Sequence, residues 1–194
     1  MIIQDLFLYF AKFPSKDGVK SMATMGGSEM PEYQQLMDAL DALPEDSLVP
    51  EIEHYVYGQS IDDLKGRLDK LVGSWIYADY GEITTQNTKG SMEVVQRLAV
   101  TVAMRIRSNA DMIERMIASD RTIGMLTKVQ AHIIADCDSG QLEWLARGEF
   151  RKTEIVPFVA SELNSYGWTL LLDASAPDAL GTAALSRSFM SPWK

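Results

Sequence analysis

The clearest pattern along the chain is an alternation of side-chain type between Val94 and Ile106. The even-numbered positions of this stretch are mostly apolar, and the odd-numbered positions are mostly small, polar or basic. Because successive side chains of a strand point to opposite faces of its sheet, the alternation predicts a long strand with one buried face. The aromatic, β-prone stretch Trp75–Thr84 precedes it, with turn-forming residues between the two. The two stretches are predicted to pair as an antiparallel hairpin, long enough for part of it to project beyond the domain.

Two segments show the apolar spacing of amphipathic helices. Ser60–Val72 opens with an S-x-x-D start signal and then places leucines on one helical face. A second S-x-x-D signal, Ser108–Asp111, opens a longer apolar-periodic run that ends at Asp138-Ser139-Gly140. Asp120 lies inside this run, where its side chain can cap a new helix. We therefore expect a kink at Asp120 or two consecutive helices.

The remaining strands are shorter. Glu51–Tyr57 alternates enough for a short strand, and Thr153–Ala160 and Trp168–Leu172 form a second predicted hairpin. Pro157 lies inside the first strand of that hairpin, which predicts an edge or bulged strand because proline has no N–H to donate. The residues after Ala174 are small and polar, and we expect them to be loosely attached.

The first fifty residues are the least regular part of the chain. Ile2–Phe10 is compatible with a short helix or a strand, and Phe13–Gly18 has the composition of a turn. Met22–Met30 is predicted to be a loop, and Pro31 suits the first turn of a helix. This region is either an accessory subdomain packed on the main sheet or an arm that becomes ordered only on assembly.

Together these elements predict an α+β fold. We expect a four-stranded, mainly antiparallel sheet of two hairpins, with helices packed on one face and an irregular N-terminal extension. The predicted organisation is an extension or small helical subdomain over residues 1–50, a core domain over residues 51–174, and a flexible tail over residues 175–194.

Composition and charge narrow the classes of function. The 194 residues are 46% hydrophobic and 23% charged, which is typical of a globular protein. The net charge is −9, and the acid is concentrated in residues 1–90, which carry 15 Asp and Glu against 7 Lys and Arg. An acidic protein is poorly suited to specific nucleic-acid binding, which needs clustered basic residues. No apolar run approaches the roughly 20 residues of a membrane span, and no secretory signal is evident, so we expect a cytoplasmic protein.

No cluster of residues indicates a catalytic, cofactor or metal site. His54 and His132 lie on different predicted elements without a partner at metal-ligand spacing. The single cysteine, Cys137, excludes an intramolecular disulfide, and its place at a helix C-terminus disfavours a thiolate, so we expect a structural role. Asp79 and Glu82 are candidates for paired acid–base carboxylates, or are solvated residues of a turn. We find no glycine-rich phosphate-binding loop.

Three arginines, Arg97, Arg105 and Arg107, share the odd-numbered face of the long predicted strand. Interleaved with alanine and threonine, they are suited to dock an acidic surface of a neighbouring subunit. Solvated positions on an ordinary sheet explain them equally well.

The order of elements resembles that of small phage and prophage tail-completion (tail-terminator) proteins. The resemblance covers about the last two-thirds of the chain and has no specific motif. Its elements are Ser60–Val72, Trp75–Thr84, Val94–Ile106, Ser108–Asp136 and Thr153–Leu172. It implies a non-enzymatic assembly protein, a ring-forming homo-oligomer or a partner of other assembly subunits, whose long hairpin reaches a neighbour and which belongs to a virion-like particle.

A second hypothesis comes from the aromatic residues. Trp75, Tyr77 and Trp168 are candidates to line a small-molecule or catalytic pocket, with Asp79 or Glu82 as its polar group. A buried aromatic core is the commoner role for such residues. The absence of a nucleophile–base pair or a metal set in the sequence favours the assembly hypothesis over an enzyme.

Overall fold

The computed structural model describes residues 2–23, 26–59, 71–88, 91–142 and 153–177. Its helices are α1 (Ile2–Phe10), α2 (Lys16–Ala23), α3 (Pro31–Asp41) and α4 (Met112–Ser139), with a short 3₁₀ turn at Ser161–Leu163. Its strands are β1 (His54–Gly58), β2 (Ser74–Asp79), β3 (Ile83–Thr88), β4 (Ser91–Arg105), β5 (Thr153–Ala160) and β6 (Ser165–Pro177). The α+β class is confirmed. The predicted helix Ser60–Val72 and the predicted tail fall almost wholly outside the described residues.

The described strands form one six-stranded, mixed, open sheet in the order β1-β2-β4-β6-β5, with β3 also paired to β4. The prediction of four mainly antiparallel strands is therefore wrong in number, and the sheet is not purely antiparallel. The short strand predicted over Glu51–Tyr57 is present as β1, and it joins the sheet parallel to β2, from His54 opposite Trp75 to Gly58 opposite Asp79. Parallel neighbours need a connection of about a dozen residues or more, and residues 59–73 supply it.

The predicted long hairpin is confirmed, with one interruption. β2 pairs antiparallel with the second half of β4, and β3 pairs with its first half. Between them, residues 80–82 lie opposite only two residues of β4, which makes a β-bulge. Gly81 has φ +53°, and a Cβ there would lie 1.8 Å from the carbonyl oxygen of Arg97. The bulge therefore requires glycine, and it divides one predicted strand into β2 and β3.

The second hairpin is also confirmed. β5 pairs with β6 from Thr153 opposite Leu172 to Ala160 opposite Ser165. β5 lies at the edge of the sheet, as Pro157 predicted. β6 is much longer than Trp168–Leu172, because it follows β4 over its whole length from Ser165 to Pro177.

α4 is a single continuous helix of 28 residues, so the predicted alternative of two consecutive helices meeting at Asp120 is wrong. Thr122, near that position, donates its hydroxyl to the Ala118 carbonyl 2.8 Å away, within the preceding turn. The predicted start at Ser108 is also wrong. Asp111 is the N-cap, and its carboxylate accepts a 2.8 Å hydrogen bond from the Glu114 N–H. The predicted end is confirmed, with Gly140 at φ 73°.

Helices α1 and α4 pack on one face of the sheet. The core between them is built of large apolar side chains, including Phe10, Ile76, Val102, Leu126 and Leu170. α1 is thus the helical alternative of the two predicted for Ile2–Phe10, and it contributes directly to this core. A smaller cluster on the other face contains Trp75 and Tyr77, together with Met22 of α2. α2 replaces part of a predicted turn and loop, whereas α3 begins at Pro31 as predicted.

Candidate protein-interaction site

The two carboxylates proposed for acid–base chemistry do not form a catalytic pair. Asp79 accepts a 2.8 Å hydrogen bond from the backbone N–H of Gly81, and so holds the β-bulge. Burial raises the pKa of Asp79, although the Gly81 N–H opposes the change by stabilising the carboxylate. Glu82 is exposed, and its backbone carbonyl accepts from the Arg97 N–H. Both residues serve the geometry of the bulge.

The three aromatic residues proposed to line a pocket lie on opposite faces of the sheet. Trp75 and Tyr77 are buried in the smaller cluster, where Trp75 meets Phe158 edge to face at 5.7 Å. Trp168 packs on the other face, beneath α4, and its indole N–H donates to the Ser119 carbonyl at 3.0 Å. The structure therefore does not assemble a pocket from these three side chains.

The two histidines and the cysteine lie in different surroundings and do not form a cluster. His54 lies on β1, with Nε2 3.1 Å from the Val72 carbonyl oxygen, whereas His132 lies on α4 against the ring of Phe13. Cys137 is buried, and burial together with the flanking aspartates raises its pKa to about 12, as suits a structural thiol. Within the described ranges, no group of three or more His, Cys, Asp and Glu side chains is arranged to hold a metal ion.

The structure brings together two of the three predicted arginines. Arg97 pairs across the sheet with Asp173 at 3.6 Å, and both side chains are well exposed. Arg105 lies eight residues further along β4, about 26 Å away at the rise of a strand, and its guanidinium donates to the Leu71 carbonyl at 3.4 Å. Arg107 follows the strand and makes a bidentate ion pair with Glu114 of α4, at 3.0 and 2.8 Å.

Arg105 and Arg107 border an open groove of about 460 Å³ between the end of β4 and the start of α4, which we call the basic groove. Its lining combines apolar and basic side chains, with one acid: Val72, Met104, Arg105, Ile106, Arg107, Glu114, Ile117, Ala118 and Arg121. Three arginines against one glutamate give these residues a net charge of +2 in a protein whose total charge is −9. The groove is thus lined by both basic and apolar side chains.

The first turns of α4, together with Val72 just before β2, expose an apolar surface beside this groove. We call it the α4 face; it consists of Val72 (80% exposed), Met112 (82%), Ile113 (60%), Met116 (63%) and Ile117 (45%). The core-facing stripe of α4 starts only at Ala118 and continues through Leu126 and Val129. At 100° per residue, Ile113 and Ile117 point away from Leu126 and Val129. α4 therefore has two apolar faces, one buried in the core and one open to solvent.

The sequence pattern placed Met112, Ile113, Met116 and Ile117 in the same apolar series as the core residues that follow them. The signal that separates them is the change in angular position between Ile117 and Ala118, which becomes clear only when the core stripe is known.

No protein-family model matches this chain, and neither a curated protein nor a solved structure matches it. None of the described helices is long and apolar enough to cross a membrane.

Proposed function

We propose that this protein is a non-enzymatic assembly subunit that forms homo-oligomers through the α4 face and the basic groove. The exposed α4 face carries this proposal. Scattered single hydrophobic residues are ordinary on protein surfaces, but a contiguous group of large ones beside polar residues is typical of an interaction site. The two surfaces contain three methionines and three arginines, and both residue types are enriched in protein–protein interfaces.

The arrangement around the groove also suits a protein partner. Arg107 is held by Glu114, and Arg115 stacks over the Tyr166 ring at 5.5 Å, so both guanidinium groups are positioned before any partner arrives. Positioning in the free subunit reduces the side-chain entropy lost on binding. The β5 edge of the sheet is less suited to this role, because β5 carries Pro157, which opposes the addition of another strand.

A ring-forming phage or prophage tail-completion component is the specific assembly function that we propose. The support is the resemblance in element order, together with the long β2/β3–β4 hairpin and an exposed apolar surface suited to repeated subunit contacts. A catalytic function has less support, since the Asp79 carboxylate binds the Gly81 N–H in the bulge, the Glu82 side chain is exposed, and the proposed aromatic residues are divided between two faces.

The experiment that tests this proposal is solution mass by light scattering with size-exclusion chromatography, followed by electron microscopy of any large species. We expect the wild-type mass to grow with concentration and Ile117→Asp to shift the protein toward monomer. Ile134→Asp is the matched control: Ile134 is 41% exposed on the same helix and lies about 25 Å along its axis from Ile117. A wild-type protein that stays monomeric at every concentration would refute the proposal, as would equal behaviour of the two variants.

A further inference from the structure

We infer that the α4 face and the basic groove receive helix α3 of a second copy of this chain, in a head-to-tail contact. This inference rests on the proposed assembly function and specifies its partner surface. It starts from the distribution of charge. Residues 26–53, which we call the acidic segment, contain eight Asp and Glu and no Lys or Arg. α3 occupies the middle of this segment.

α3 is a helix whose apolar side chains are incompletely covered within its own subunit. Of its eleven residues only Leu40 is buried, while Tyr33, Leu36 and Met37 are half-buried. Met30, at the N-cap, is 71% exposed. The solvent-facing side of α3 is mainly polar, and Met30 at its N-terminal end is the well-exposed apolar side chain that it can offer to the α4 face.

The charges of the two surfaces are complementary. Part of the acidic segment is already neutralised, since Asp41 pairs with Lys20 at 2.5 Å and Glu45 pairs with Lys16 at 2.6 Å. These pairs lie at or beyond the C-terminal end of α3. Near its N-terminal end, Glu29 and Glu32 are exposed, beside Met30. A helix end that carries Met30 and two exposed carboxylates matches a groove lined by apolar side chains and three arginines.

The regions that carry the two surfaces meet different parts of α4 in one subunit, and the contact we propose is therefore intermolecular. The basic groove borders the first turns of α4, at residues 114–121. The N-terminal region contacts its second half: Glu51 pairs with Lys128, Phe13 lies against His132, and the Tyr9 hydroxyl donates to Asp136 at 2.8 Å. A contact between two different surfaces is heterologous, so each subunit keeps one of each kind free for a neighbour, and repetition gives a ring or a filament.

Mixing two variants tests this inference. Ile117→Asp damages the groove side, and Glu32→Lys damages the α3 side; both residues are exposed, so thermal unfolding should show that each variant folds like the wild type. We expect each variant alone to associate at least tenfold more weakly than the wild type. A mixture of the two should form a discrete heterodimer, because one intact groove then meets one intact α3. Glu82→Lys, the same charge change at the exposed β-bulge, should leave association unchanged.

The outcomes separate the two proposals. If Glu32→Lys associates like the wild type while Ile117→Asp does not, the α3 contact is refuted and the assembly function stands. If Glu32→Lys still forms a homodimer and the mixture forms no heterodimer, the α4 faces pair with each other and the inference fails. A wild-type protein that remains monomeric refutes both proposals. Weakening of wild-type association between low and high salt is expected for an arginine–carboxylate contact, and salt-independent association would contradict it.

Discussion

Helix α2 approaches the chain just before β1 so closely that Gly18 has no room for a side chain. An ideal Cβ on Gly18 would lie 1.7 Å from the backbone oxygen of Glu53 and 2.8 Å from the Ser15 hydroxyl oxygen. That hydroxyl donates to the same Glu53 oxygen at 2.9 Å and accepts from the Gly18 N–H at 3.2 Å. Gly18 is therefore the point at which the start of α2 is joined to the sheet.

Gly18→Ala should destabilise the protein, although helix propensity alone predicts the opposite. An alanine in a helix is favoured over glycine by about 1 kcal/mol. Relief of the clash requires the Cβ to move by about 1.5 Å, which breaks the Ser15–Glu53 hydrogen bond, a contact contributing about 1 kcal/mol. Overpacking of this kind costs about 1–3 kcal/mol. We expect a net loss of about 1–3 kcal/mol and, at about 2–4 °C per kcal/mol, a clearly lower melting temperature.

Gly124→Ala is the matched control, because Gly124 is also helical but its Cβ would meet no heavy atom within 4 Å. This variant should gain about 1 kcal/mol from helix propensity. Thermal and urea unfolding followed by circular dichroism would compare the two variants with the wild type. Equal or greater stability of Gly18→Ala would show that α2 can move away from Glu53 without cost, and would refute the close packing of α2 on β1.

Three further predictions concern ionisable groups. Because the pKa of Cys137 is raised to about 12, its thiolate fraction near neutral pH should be about a thousandfold below that of an ordinary thiol. A thiol reagent should therefore label Cys137 rapidly only after urea unfolding. Fast labelling of the native protein would contradict this. Because burial raises the pKa of Asp79, its contribution to folding is most favourable below the unfolded value of about 3.9 and is lost as the pH rises through the folded value. Asp79→Asn, which keeps an acceptor for the Gly81 N–H, should therefore melt higher than the wild type at pH 7 and equally at low pH, and an equal difference at both pH values would refute this. Lys16 donates to the carbonyls of Asp41 and Leu43 at 2.9 and 3.0 Å. Lys16→Met should therefore speed amide hydrogen exchange in α3 and lower the free energy of unfolding by about 1 kcal/mol. Unchanged exchange would show that contacts other than those of Lys16 hold α3 in place.

Local signals in the sequence predicted those parts of the fold that depend on neighbouring residues. The alternation over Val94–Ile106 identified the long strand, Pro157 identified an edge, and Gly140 identified the end of α4. The parallel pairing of β1 with β2 was missed, because side-chain periodicity indicates a strand but carries no information about its partner or direction. The start of α4 was misplaced since Ser108 and Asp111 both satisfy the pattern of a helix cap, and only the geometry of the chain chooses between them.

The candidate site was harder to predict for a related reason. Arg105 and Arg107 were identified as residues suited to a subunit contact, but Arg97 was grouped with them although it lies far along β4. Ile113 and Ile117 have the residue type and approximate spacing of the core positions that follow them. A hydrophobic residue at an interface is chemically the same as one in a core, so sequence pattern alone cannot separate the two. To tell the exposed apolar residues of α4 from its core residues, one must know which part of the helix lies over the sheet.

The length of α4 explains how one helix comes to have both a core face and an exposed apolar face. The helix runs from Met112 to Ser139, and its core-facing stripe runs from Ala118 to Cys137. The first six residues, 112–117, therefore extend beyond the part that covers the core. A helix that served only the core would gain nothing by placing four large apolar residues in that extension, because exposed hydrophobic side chains do not stabilise a monomer and promote association. The Asp111 cap and the Arg107–Glu114 ion pair nevertheless hold this end in helical form. Stabilisation of the extension together with its exposed apolar residues is what an assembly surface requires, since a rigid helix end loses little entropy when it is covered by a neighbouring subunit.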